Sequence, residues 1–167
     1  MGKGTTGRIR RRAIDLGGAL QGRAVVVGIG NILRSDDGLG CRLVERLASR
    51  APKDGRIAYI DAGASLENSI SDITGRLPDS ILIVDAVHLG LEAGEIELLR
   101  PEDLDDGSSF THGIPLGMLC GLIRSRLPSA GISVLAVQPG TVGIGENLSV
   151  EAERALAVLE GVFAEVG

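Results

Sequence analysis

The sequence predicts a single-domain α/β sandwich, on three observations. Short apolar runs rich in valine and isoleucine alternate with stretches of helical periodicity. The runs are continuously apolar rather than alternating, which suits parallel strands buried on both faces. A chain of 167 residues with 44% hydrophobic content is also large enough to bury one core without staples.

Residues 24–29 (AVVVGI) form the first such run and read as a strand. Beyond Gly38, the apolar residues Leu39, Leu43, Val44 and Leu47 recur at helical spacing, with Pro52 past the helix end. Residues 57–60 read as a second strand, 66–74 as a short helix and 80–87 (SILIVDAV) as the strongest strand, so three parallel strands are expected at the centre. Residues 94–99 (GEIELL) alternate polar and apolar, as a half-exposed antiparallel edge does, and 105–109 are a polar loop. Pro115 suits the first turn of a helix running to Arg126, and a strand at 132–137 and a helix at 149–166 close the chain. There is no internal repeat.

Charge divides the chain. The first 23 residues hold six of its 17 Lys+Arg and one acid, Asp15, leaving 11 bases against 21 acids in the remainder. Residues 1–22 are therefore read as a basic, flexible arm and 23–167 as the α/β domain. The arm has no aromatic residue to stack on bases, and 2% aromatics overall argue against nucleic acid as a partner. No run reaches the roughly 18 apolar residues of a membrane span, and no apolar signal segment follows the N-terminal charges. Cys41 and Cys120 stand far apart, with neither metal-ligand spacing nor a disulfide framework, so a reducing cytoplasm is expected.

In an open α/β sheet, ligands bind beyond the carboxyl ends of the parallel strands. Three such ends carry polar residues: Gly30-Asn31 followed by Asp36-Asp37-Gly38 after the first strand, Asp85 at the end of the third, and Thr111-His112 before the fourth helix. Asp85 follows four apolar residues, and ionising it there requires a cation or hydrogen-bond donors. Two carboxylates and an imidazole converging on one crevice can hold a divalent metal such as nickel or zinc, or divide acid and base roles. Structural roles compete at each position. Asp36 suits the cap of the following helix, whereas a second adjacent acid, Asp37, exceeds what capping needs. Asp85 can be satisfied by loop amides, and His112 can cap the helix after it. His88 is a rival ligand but reads as a solvated loop residue, and Asn31 as a turn former.

Other chemistries fit less well. In the G-x-G-x-x-G dinucleotide pattern the third glycine would fall on Leu33, and Asp36-Asp37 would repel a pyrophosphate at the helix start. There is no G-x-S-x-G elbow and no H-E-x-x-H zinc motif.

Five blocks, VVVGIGNILRSDDGLG (25–40), DAGASLEN (61–68), ILIVDAVHLGLEAGEIELL (81–99), THGIPLGML (111–119) and VLAVQPGTVGIGENLS (134–149), occur in one order across most of residues 24–163. In these the chain resembles the [NiFe]-hydrogenase maturation proteases, and the LEN, LEAGEIELL and VQP phrases resemble the branch serving formate-linked and membrane-bound energy-conserving hydrogenases. The resemblance implies a three-layer fold: a twisted five-stranded mixed, mostly parallel sheet with helices on both faces. It implies an endopeptidase that removes the C-terminal extension of the large-subunit precursor after nickel has been loaded into that partner. It places the family's metal-binding and catalytic residues on Asp37, Asp85 and His112, with nickel carried by the substrate as a recognition key. The sequence departs from the pattern at Ala93, where proline is common, and at Gly140, where an acid is common. A non-catalytic nickel chaperone using the same three ligands is the competing expectation, and hydrolysis through an aspartate or through metal-bound water stays open.

Overall fold

The structure is a computed structural model that describes residues 14–105, 107, 109–111 and 113–166. Its elements are α1 (Leu16–Ala19), β1 (Ala24–Gly28), α2 (Leu39–Ala48), β2 (Ile57–Asp61), α3 (Leu66–Gly75), β3 (Ser80–Ala86), β4 (Ile96–Leu99), β5 (Phe110–Thr111), β6 (Ile114–Pro115), α4 (Leu116–Arg126), β7 (Gly131–Val137) and α5 (Val150–Ala164). Single 3₁₀ turns occupy Ser35–Gly38 and Pro101–Asp103.

Five strands form one sheet in the order β2-β1-β3-β7-β4. The first four are parallel, and β4 runs antiparallel on the edge beside β7, as its alternating pattern predicts. The continuous apolar runs are explained by period two. Val26, Leu82, Val84 and Leu135 face a core layer built by α1, α2 and α5, while Val25, Val27, Ile81, Ile83 and Val134 face a layer built by α3 and α4. Among the described residues no helix is long and apolar enough to cross a membrane.

The helix α2 sits unusually close to the sheet. A Cβ on Gly28 would stand 2.2 Å from the Gly40 carbonyl oxygen, and one on Gly40 would stand 2.3 Å from that of Val84. Only glycine at both positions lets the first turn of α2 touch β1 and β3, and this brings the chain just before α2 to the strand ends.

The structure corrects the boundary expected at residue 23. Leu16, Ala19 and Leu20 are buried, and Ile14 packs against the same layer, so the domain begins no later than residue 14. Asp15 caps the short α1 by accepting from the Gly18 N–H at 3.0 Å. Arg56 ties this segment to the C-terminal end of the chain, donating to the carbonyl oxygens of Leu20 at 3.3 Å and Val166 at 2.7 Å. Residues 1–13, which carry the bases Lys3, Arg8, Arg10, Arg11 and Arg12 of the expected arm, lie outside the described residues.

Candidate active site

The turn between β1 and α2 places the two adjacent acids differently. Gly30 has φ +133°, and a Cβ there would lie 1.7 Å from the Asp37 carbonyl oxygen, so glycine is required where the turn closes on itself. Ser35 takes φ +50°, a left-handed conformation that a non-glycine residue adopts only when its surroundings impose it. The imposing contacts come from the segment after β7. The Ser35 N–H donates to the Gly145 carbonyl at 2.6 Å and its hydroxyl to that of Gly143 at 3.1 Å, while the Gly145 N–H donates to Leu33 at 2.9 Å.

Asp36 is fully buried. Its Oδ2 accepts from the N–H groups of Gly140 (2.8 Å) and Thr141 (3.1 Å) and from the Ser149 hydroxyl (2.7 Å), and its Oδ1 from the Ser149 N–H (2.7 Å). Burial alone would raise its pKa, but the two Ser149 donors with those of Thr141 and Gly140 outweigh burial and hold it below the ordinary carboxylate value. The helix cap expected of Asp36 is therefore not its role. Gly38 stands at the cap position of α2 without a side-chain bond, and Asp36 binds the 140–149 segment instead. A Cβ built on Gly140 would stand 3.2 Å from the Ser149 Oγ, 3.3 Å from the Ala93 Cβ and 3.4 Å from the Asp36 Oδ2, so glycine suits this tight junction.

Asp37 is half-buried, and its Oδ2 accepts from the Asn31 N–H at 2.9 Å. Asp85, at the end of β3, is 5% exposed and accepts a short hydrogen bond from the Ser109 hydroxyl. Burial pushes its pKa up to about 7; the Ser109 bond opposes this, the negative charge of Asp37 adds to it, and the Ala86 N–H opposes it. The two carboxylates are thus close enough for the charge of one to disfavour ionisation of the other. His112, the third residue expected here, lies outside the described residues. Among those described, no three of His, Cys, Asp and Glu form a group able to hold a metal ion.

Sequence reasoning missed several neighbours. Asp61 ends β2 in register with Gly28, accepts from the Gly63 N–H at 2.9 Å and bonds the Cys41 thiol. That thiol also lies 3.4 Å from the Gly30 carbonyl oxygen, and burial with the Asp61 contact pushes its pKa strongly up, which favours the protonated form. Gln138, buried at the end of β7, accepts from the N–H groups of Leu89 (2.7 Å) and Leu91 (3.3 Å) and fixes the loop after β3. The strand-end rule that found Asp85 applies equally to Asp61 and Gln138. Ser109 had no such signal, because it reaches Asp85 from a loop 24 residues away. His88 is exposed on the loop that Gln138 holds. A cavity of about 170 Å³ lined by Leu77, Pro78, Arg126 and Leu127 lies at the other end of the sheet, where β3 and β7 begin, away from these groups.

A family model described as hydrogenase maturation protease matches residues 41–162. The hydrogenase 3 maturation protease of Escherichia coli (strain K12) is 37% identical over 120 residues, 71% of this chain and 74% of that protein. The crystal structure of a [NiFe] hydrogenase maturation protease from Thermococcus kodakarensis KOD1 superposes with a TM-score of 0.81 at 29% identity, over 90% of this chain and 97% of that one. A crystal structure of the hydrogenase 3 maturation protease gives a TM-score of 0.73 at 32% identity, over 86% and 90%. The branch expected from the sequence phrases is the one these hydrogenase 3 enzymes represent. The chain belongs to the hydrogenase maturation proteases, the endopeptidases that process the hydrogenase large subunit.

Proposed function

We propose that the chain removes the C-terminal extension of a nickel-loaded [NiFe]-hydrogenase large-subunit precursor in the cytoplasm, with Asp37, Asp85 and His112 reading the nickel as a recognition key. The observation that carries this reading is a pair of neighbouring carboxylates, Asp37 on the turn after β1 and Asp85 at the end of β3, the latter buried and without a Lys or Arg ion pair among the described residues. A buried carboxylate of raised pKa is stabilised by an arriving cation, and oxygen and imidazole donors suit nickel. The nickel belongs to the substrate, held on cysteine thiolates of the precursor, and the three side chains complete its coordination when the proteins dock. Ser109 brings the segment just before β5 against Asp85. Exposed Ile32, Leu33 and Ile144 beside the Asp37 turn offer a docking protein apolar surface. The two buried free thiols suit a reducing compartment.

In the free protein burial pushes the Asp85 pKa up to about 7, so it exchanges a proton near neutrality; the arriving cation favours its ionised form, in which a carboxylate serves as ligand or as general base toward water. The test is incubation with nickel-loaded and nickel-free precursor, followed by mass. Only the loaded precursor is expected to shorten, and Asp37→Asn and His112→Ala, folded as the wild type, leave it intact. Equal cleavage of nickel-free precursor would remove nickel from recognition, and wild-type rates in either variant would remove that residue from the site.

A further inference from the structure

We propose that Asp36 is a positioning residue for the cleavage, acting through its neighbour: its buried carboxylate clamps the 140–149 segment to the 31–38 turn and so fixes where the Asp37 carboxylate stands. The inference rests on the place of Asp37 in the proposed site. Three observations carry it. All four donors to Asp36 come from residues 140–149, two of them from Ser149 at the start of α5, and none from α2, so the carboxylate joins two segments rather than capping α2. The junction is reciprocal, because the Asp36 N–H donates to the Thr141 carbonyl at 3.1 Å while Asp36 accepts from the Thr141 N–H. The residue just before it, Ser35, holds a left-handed backbone whose supports, Gly143 and Gly145, belong to the clamped segment.

Asp37 follows directly, its own N–H bonded to Arg34 at 3.1 Å and its carboxylate to the Asn31 N–H. Releasing the clamp lets Ser35 relax to an ordinary φ and swings the next residues of the turn. A reacting group displaced by about 1 Å loses roughly 10² in rate, so a clamp outside the reacting centre governs turnover.

The test uses Asp36→Asn, which turns one acceptor oxygen into an amide facing at least the Ser149 N–H, and the milder Ser149→Ala, which removes the hydroxyl donor together with the cap it gives the Ala152 N–H of α5. Each is assayed with nickel-loaded precursor, at a temperature where it is fully folded, and by ¹H–¹⁵N spectra. A roughly 10- to 100-fold loss of kcat/KM per folded molecule is expected for Asp36→Asn and a smaller loss for Ser149→Ala, with much of the latter restored in Ser149→Thr. The Asn31 amide, which reports on the Asp37 carboxylate, should shift in both impaired variants while the β3 amides stay in place. If the Asn31 amide keeps its position, or if kcat/KM per folded molecule is unchanged and only the melting temperature falls, Asp36 is structural and the proposal is overturned. A shifted amide with wild-type turnover would instead remove Asp37 from the reacting centre, and with it any catalytic meaning of the clamp.

Discussion

Asp36, Asp37 and Asp85 are chemically alike and are set apart only by their surroundings. Asp36 is buried among four donors, so ionisation is favoured; Asp85 is buried with one side-chain donor and a like charge nearby, so ionisation is resisted. This gives a direct check on whether the candidate carboxylates share one crevice. In Asp37→Asn the repelling charge is gone, and the Asp85 pKa is expected to fall from about 7. In Ser109→Ala the bond that favours the charged form is gone, and it is expected to rise. Carboxyl ¹³C titration of Asp85 in the two variants reads both shifts. A value insensitive to Asp37→Asn would mean that the two acids do not act on a common substrate group.

The short helix α1 shows how element-scale burial departs from composition. Leu16 is 1% exposed under β3 and β7 although it lies in a stretch marked by positive charge and glycine. Leu16→Ala is expected to destabilise the fold by about 2–4 kcal/mol, the range for a buried leucine whose cavity does not collapse. Denaturant melts of the purified variant measure this; a loss under about 0.5 kcal/mol, the range of surface substitutions, would mean that α1 is peripheral. The long elements were legible because burial on both faces leaves a continuous apolar run in β1, β3 and β7, while half-burial at the sheet edge leaves Glu97 among the apolar residues of β4. The helix α1 was hidden because four residues containing Gly17 and Gly18 carry no helical period, and the two-residue strands β5 and β6 are too short to show one. Site legibility followed the same division. Asp85 stands out because it interrupts an apolar strand, whereas the role of Asp36 depends on backbone donors 104 to 113 residues away, and backbone N–H groups leave no trace in side-chain sequence.

For the whole molecule, the two buried acids impose opposite pH dependences on stability. The folded Asp36 carboxyl lies below the ordinary value of 3.8, so its contribution is complete above that value and is lost as pH falls through the folded pKa. Asp85 is shifted from 3.8 to about 7, so between those values the folded chain keeps a proton that the unfolded chain releases, and stability falls as pH rises through the window. At about 1.4 kcal/mol per pH unit, ionised Asp85 costs the fold several kcal/mol on the alkaline side, a strain that a cation brought by the substrate would relieve. Asp85→Asn retains an acceptor for Ser109 and removes the ionisation. It is expected to raise the melting temperature at pH 8 by about 2–4 °C for each kcal/mol recovered, to converge with wild type near pH 4, and to abolish cleavage. Thermal melts from pH 4 to 8 measure the crossover. Parallel curves for the two proteins would show that Asp85 does not titrate in this range, and the placement of its proton at neutral pH would then be wrong.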